Sequence, residues 1–271
     1  MENMVIHPTA LIDPKSEIGD KVSIGPFTIV EANVRIGNGT TIASNVLLAA
    51  GTRIGADCRI FNGAVLGTIP QDLKFGGEES ELSVGDRTII REFCTLNRGT
   101  RHGHLNTKVG SDCMLMAYAH VAHDCSLGNG VIMANSVNLA GHVDIGDGAS
   151  IGGMSAVHQF VKIGMHAFIG GMARISQDIP PFIRAAKEPL RYFGPNSIGL
   201  RRKGFTNSQI QSIKSAYRLL YRSGYNVKQG VQAIKDQLDM TPEVEEILRF
   251  IEHSKRGLIG IGVKGDSATF D

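Results

Sequence analysis

Ile18-Gly19-Asp20-Lys21-Val22-Ser23-Ile24-Gly25-Pro26-Phe27-Thr28-Ile29-Val30 returns an aliphatic residue at every sixth position. The beat extends back to Ile12 and Ile6 and forward through Ile36, Ile42, Leu48, Ile54, Ile60 and Leu66. It resumes at Val84, Ile90 and Leu96, shifts by one, and runs from Val109 through Leu115, Val121, Leu127, Met133, Leu139, Ile145, Ile151, Val157, Ile163 and Ile169 to Ile175. A small or β-branched residue tends to follow four positions later, and a sandwich would not hold one register through these twenty-six positions. The pattern predicts a parallel β-helix of hexapeptides, in which the recurring aliphatic side chain fills the core of each coil. Glycine often comes next, as in Ile18-Gly19, Ile36-Gly37 and Ile145-Gly146, and is expected to supply the positive-φ corner where the chain turns. With three hexapeptides per coil, residues eighteen apart stack about 4.8 Å from one another along the axis.

Two interruptions, 67–83 and 97–108, should leave the coil as loops, which often carry function. Beyond Pro180-Pro181 the beat is gone, so residues 1–180 form the β-helix and 181–271 a small α-helical C-terminal domain. Thr206-Asn207-Ser208-Gln209 reads as a capping box for an amphipathic helix that Ser223-Gly224 stops. A second helix is expected from Val227 to Leu238, and Thr241-Pro242 should start a third running to His253.

Composition fits a soluble globular protein, with 42% hydrophobic and 20% charged residues and a net charge of +2. Apart from Arg201, Arg202 and Lys203 the basic residues are scattered, which argues against a nucleic-acid surface. No apolar run is long enough to span a bilayer, and Met1-Glu2-Asn3-Met4 does not open a secretory signal, so a cytoplasmic protein without stable membrane insertion is expected. Cys58, Cys94, Cys113 and Cys125 each fall four residues after an aliphatic marker and read as core filler, with no C-x-x-C spacing for zinc or redox chemistry.

His120, His123, His142 and His158 cluster within 39 residues. In the coil register His123 lies beneath Gly141 and Asp124 beneath His142, with His158 two coils beyond His123 on the same face. Imidazoles beside a carboxylate suit general-base chemistry, because the carboxylate can fix the tautomer and raise basicity. The rival reading is a metal site using His120 and His123. His102 and His104, in the second loop, read as loop residues.

Several stretches resemble the UDP-N-acetylglucosamine O-acyltransferase family over nearly the whole chain. They are Gly67-Thr68-Ile69-Pro70-Gln71-Asp72-Leu73-Lys74, Ala119-His120-Val121-Ala122-His123-Asp124-Cys125, Leu139-Ala140-Gly141-His142-Val143, Gly152-Gly153-Met154-Ser155-Ala156-Val157-His158-Gln159-Phe160 and Gln177-Asp178-Ile179-Pro180-Pro181. The resemblance implies a left-handed winding, a homotrimer with sites between subunits, and transfer of a 3-hydroxyacyl group from acyl carrier protein to UDP-N-acetylglucosamine, the first step of lipid A synthesis. It implies His123 as the base, Asp124 as its orienting partner and the Gly141 N–H as an oxyanion donor. Substrate contacts are implied for Asp72, Lys74, His120, His142, His158, Gln159, Asn196 and Arg202, with Gly171 near the far end of the acyl chain and no metal or cofactor required. Asn97 stands where that family often has His, and Ile198 where an acidic residue is frequent. These departures leave N-acylation of a 3-amino sugar nucleotide open, and a metal-dependent hydratase on the same scaffold is the other alternative.

Overall fold

The computed structural model describes residues 5–261. Residues 5–175 carry twenty-six short strands, and every aliphatic marker of the six-residue beat lies in one of them. Each strand pairs in parallel with the one a full coil away, as in Val5↔Ser23 and Ile6↔Ile24. Together with two later strands in 183–195, they form three sheets, of eleven, nine and eight strands, here called the first, second and third in the order the chain visits them. The markers from Ile24 onward point inward and are buried, as is the residue four later, including all four cysteines. Each inward aliphatic contributes about 1.5–3 kcal/mol of burial.

The β-helix is left-handed. That runs against the right-handed preference of strand–crossover–strand units, which arises from twisted strands feeding long connections. Here most strands have two residues and little twist to transmit, and the connections are four-residue corners.

The corners differ from the sequence expectation. Gly19, Gly37 and Gly146 do not have positive φ. The left-handed residue is the third after the marker, and among the described residues nineteen non-glycine residues have positive φ, most of them at this position, including Lys21, Asn33, Asp57, Asp124 and His142. At most of these corners the N–H donates to the coil below, as from Asp57 to Asn38 O and from His142 to His123 O, which offsets a backbone preference of about 1–2 kcal/mol per residue. Glycine after the marker has another cause, because a Cβ on Gly37 would stand 2.5 Å from the Gly55 carbonyl carbon. The position is small because coils stack there backbone on backbone.

The loops are shorter than the lost beat suggested. Strands Glu81–Val84 and Asn106–Val109 pair along their full length, and Val65–Thr68 and Thr95–Asn97 pair with a register shift, which leaves 69–80 and 98–105 outside the coil. Both loops leave the corner between the second and third sheets, in successive coils.

Strand Ile183–Ala186 adds in parallel to the first sheet and turns back antiparallel as Arg191–Pro195. Four helices follow, α1 (Ser197–Arg202), α2 (Asn207–Arg222), α3 (Val227–Gln237) and α4 (Pro242–Glu252). The expected caps are present at Thr206 and Thr241, and Asn226 with Gln229 supplies a capping box to α3. Buried Tyr217 donates to Pro181 O at 2.6 Å, docking α2 on the end of the coil. Asp178 accepts from Lys162 N, Ser254 Oγ, Lys255 N and Arg256 N, which clasps the segment after α4 to the same end. Among the described residues no helix is long and apolar enough to cross a membrane.

Candidate active site

His123 and Asp124 occupy the corner after strand His120–Val121, between the second and third sheets and directly above the second loop. Asp124 is the left-handed residue of that corner, and Thr107 Oγ1 accepts its N–H at 2.8 Å. The side chains of His123 and Asp124 are 8% and 0% exposed, and His123 Nδ1 lies 2.9 Å from Asp124 Oδ2.

The second loop wraps the carboxylate. Thr100 N donates to it at 3.0 Å, Thr100 Oγ1 at 2.6 Å and His104 N at 2.9 Å. Gly103 passes so close that any side chain there would collide with the carboxylate. Burial pushes the Asp124 pKa up, but the hydrogen bonds from His123, Thr100 and His104 outweigh it and hold the group well below the usual carboxylate range. Asp124 is therefore a carboxylate that can only accept, so the hydrogen of the pair sits on His123 Nδ1 and Nε2 is the nitrogen left uncovered.

One coil up, Gly141 lies against the imidazole, where a Cβ would stand 2.6 Å from Cε1 and 2.7 Å from Nε2. The Gly141 N–H finds no acceptor among the described residues. His142, also left-handed, packs edge-on against His123 at 5.0 Å between centroids, and Phe160 from the next coil stacks on His142 at 4.6 Å. Burial lowers the His142 pKa, partly opposed by Asp124. His120 points outward from its strand, hydrogen-bonded through Nδ1 to Thr95 Oγ1 at 2.7 Å, and burial lowers its pKa too.

The remaining expected residues are spread more widely. Asp72 is near enough to act electrostatically on His142, and its carboxylate accepts from Lys74 N at 3.0 Å, while the Lys74 side chain is exposed. His158 and Gln159 lie on the same corner two coils above His123, but His158 is exposed and faces Gln159 O, so the close cluster is His123, Asp124 and His142. Asn196 is engaged as the N-cap of α1 and donates to His166 O, and Arg202 is exposed at the end of that helix. Gly171 lies on a different corner, between the first and second sheets. Its φ is not positive, and the left-handed residue there is Met172.

Thr100, Gly103 and the His104 amide were not foreseen. The signal was the lengthened coil spacing, with Thr95 and His120 paired twenty-five residues apart instead of eighteen. Asn97 does not face the cluster. It is buried, and its amide nitrogen donates to Thr68 Oγ1 and Ile69 O at the root of the first loop.

Ligand atoms of His123, Asp124 and His142 lie within 4.8 Å of one another, a set that could hold a divalent ion. Both Asp124 oxygens already accept two or more hydrogen bonds each, and a metal would have to displace the Nδ1 proton. The arrangement fits an oriented base better.

A hexapeptide β-helix presenting a tautomer-fixed His–Asp pair beside a free backbone N–H has the parts of a group-transfer enzyme. Residues 15–50 and 106–141 match the bacterial transferase hexapeptide model, and residues 178–259 match the second domain of UDP N-acetylglucosamine O-acyltransferase. The chain is 47% identical over 254 residues to the acyl-[acyl-carrier-protein]–UDP-N-acetylglucosamine O-acyltransferase of Halorhodospira halophila, covering 94% of this chain and 98% of that protein. The crystal structure of a UDP-N-acetylglucosamine acyltransferase from Bacteroides fragilis superposes with a TM-score of 0.91 at 45% identity, covering 93% of this chain and 99% of that one. The Francisella novicida UDP-N-acetylglucosamine acyltransferase gives 0.92 at 36% identity, with 94% of each chain covered. The chain belongs to the UDP-N-acetylglucosamine O-acyltransferase family.

Proposed function

We propose that the protein transfers a 3-hydroxyacyl group from acyl carrier protein to the 3-hydroxyl of UDP-N-acetylglucosamine, the first step of lipid A synthesis, in the cytoplasm. The observation that carries the chemistry is the His123 Nδ1 to Asp124 Oδ2 bond of 2.9 Å, which leaves Nε2 free. Nε2 takes the proton of the sugar hydroxyl as its oxygen attacks the thioester carbonyl. The Gly141 N–H, adjacent to the imidazole and unpaired, donates to the developing oxyanion. Collapse of the tetrahedral intermediate breaks the C–S bond, and the departing thiolate recovers the proton from His123. No metal takes part, since the Asp124 oxygens are committed to hydrogen bonds. Asp72, Lys74, His120, His142, His158 and Gln159 would contact the substrates from the corner that carries His123.

Asn196, Arg202 and Gly171 act in this reading from a neighbouring subunit of a homotrimer. The edge between the first and second sheets supports that assembly, because Phe93, Tyr118, Met154 and Met172 are all more than half exposed there, a ridge that a second copy would cover. The test is turnover of UDP-N-acetylglucosamine with a panel of 3-hydroxyacyl carrier-protein thioesters, with free thiol and O-acylated sugar nucleotide expected in equal amounts. Transfer only to a 3-amino analogue would replace the hydroxyl acceptor, and absence of transfer to either would overturn the reading.

A further inference from the structure

Three residues at the root of and within the second loop hold the first loop and its root. Asn97 Nδ2 donates to Thr68 Oγ1 and Ile69 O. The Arg98 guanidinium lies 5.6 Å from the Phe75 ring centroid. Arg101 donates to Glu78 twice, from its backbone N to Oε1 at 2.8 Å and from Nη2 to Oε2 at 3.0 Å. Gly76 N donates to the same Oε2 at 2.9 Å, which closes the turn just after Lys74. The Glu78 side chain is 10% exposed, so this is a covered, multiply bonded carboxylate in the first loop. Arg101 directly follows Thr100, whose N–H and hydroxyl hold Asp124. One dipeptide therefore holds the partner of the base with its first residue and the first loop with its second.

We infer that Arg101 is a positioning residue for the sugar nucleotide, acting through Glu78 to fix the first loop, with Asp72 and Lys74, in register with the His123–Asp124 pair. This rests on the acyl-transfer reading above. Without the Arg101 side chain the loop would sample more conformations, and the substrate would have to order it on binding. The cost then falls on ground-state binding, while Thr100 and His104 continue to hold Asp124 and the chemical step.

The test uses the full-length protein and the variants Arg101→Ala, Arg101→Lys, Glu78→Gln and Arg101→Ala/Glu78→Gln. Arg101→Ala is expected to raise KM for the nucleotide sugar about fivefold, with kcat and the pH profile of kcat within about twofold of wild type. Arg101→Lys should recover most of the loss, and the double variant should lose less than the sum of the single ones, because both act on the pair between Arg101 Nη2 and Glu78 Oε2. Hydrogen exchange of amides 72–78 in the unliganded protein should be faster in Arg101→Ala. Unchanged exchange would overturn the coupling. Faster exchange with unchanged KM, a fall confined to kcat, or additive single effects would overturn the positioning role. An inactive wild type would instead overturn the acyl-transfer reading, and the exchange experiment would still decide whether the loops are coupled.

Discussion

Gly141 and His123 are packed so that the smallest possible side chain at 141 would stand 2.7 Å from the imidazole Nε2. Since φ at Gly141 is not positive, the backbone would accept alanine, and the nearest conflict is with the His123 ring. Gly141→Ala should fold normally and lower kcat by about 10²-fold, the scale expected when a reacting group is displaced by about 1 Å. Activity within a few-fold of wild type would mean that Nε2 does not work at that spot.

Asp124→Asn keeps the shape of the side chain but replaces an acceptor-only group with one that donates. The new amide nitrogen must face His123 Nδ1, Thr100 or His104, each of which now donates to it. Facing His123, it favours the tautomer with the proton on Nε2, the wrong one for a base. A fall in kcat of about 10²-fold is expected, together with about 1–3 kcal/mol of lost stability from the unsatisfied donor. Denaturation and steady-state rates check both, and an unchanged kcat would remove Asp124 from the mechanism.

Acid should weaken the fold in two stages. The folded pKa values of His120 and His142 lie below their ordinary value because of burial, so the unfolded chain binds their protons first. That contribution is complete above about pH 6.5 and fades as the pH falls through that value toward the folded pKa. Asp124 is also depressed in the folded state, and its contribution is present above about pH 4 and lost below it. Chemical denaturation from pH 8 to pH 3 should show both declines, the upper one shallower in His142→Gln. An upper decline of the same slope in that variant would contradict the assignment to His142.

Gly171 offers a test of how acyl length is measured. A Cβ there would lie 3.1 Å from Gly153 O, a fit that needs only slight give, so a longer side chain would project from an exposed corner. Gly171→Met is expected to shift preference toward shorter 3-hydroxyacyl chains across a thioester panel. Equal proportional loss for all lengths would make the residue a packing glycine.

The core was readable because the inward position repeats with a fixed period and one kind of side chain, so each of the twenty-six markers falls in a strand. The corners were misread because the left-handed position accepts Lys21, Phe27 and His142 as readily as Gly39, its conformation being held by hydrogen bonds between coils and not by residue type. His123, Asp124, Gly141 and His142 could be brought together from spacing alone. The clamp on Asp124 could not, since it acts largely through the backbone N–H groups of Thr100 and His104, which no side chain announces. Asn196, Arg202 and Gly171 stand apart from that cluster, and the six-residue period carries no information on what they contact.

The central claim is that His123 Nε2 is the base, and its most direct test is single-turnover transfer by His123→Ala at saturating UDP-N-acetylglucosamine and 3-hydroxyacyl carrier-protein thioester. His123 packs at a corner outside the aliphatic core, so the variant should keep the circular dichroism of the wild type and its oligomeric state. The rate is expected to fall by about 10²–10⁴-fold, the usual contribution of a positioned base. A folded variant that transfers the acyl group within about tenfold of the wild-type rate would contradict the account.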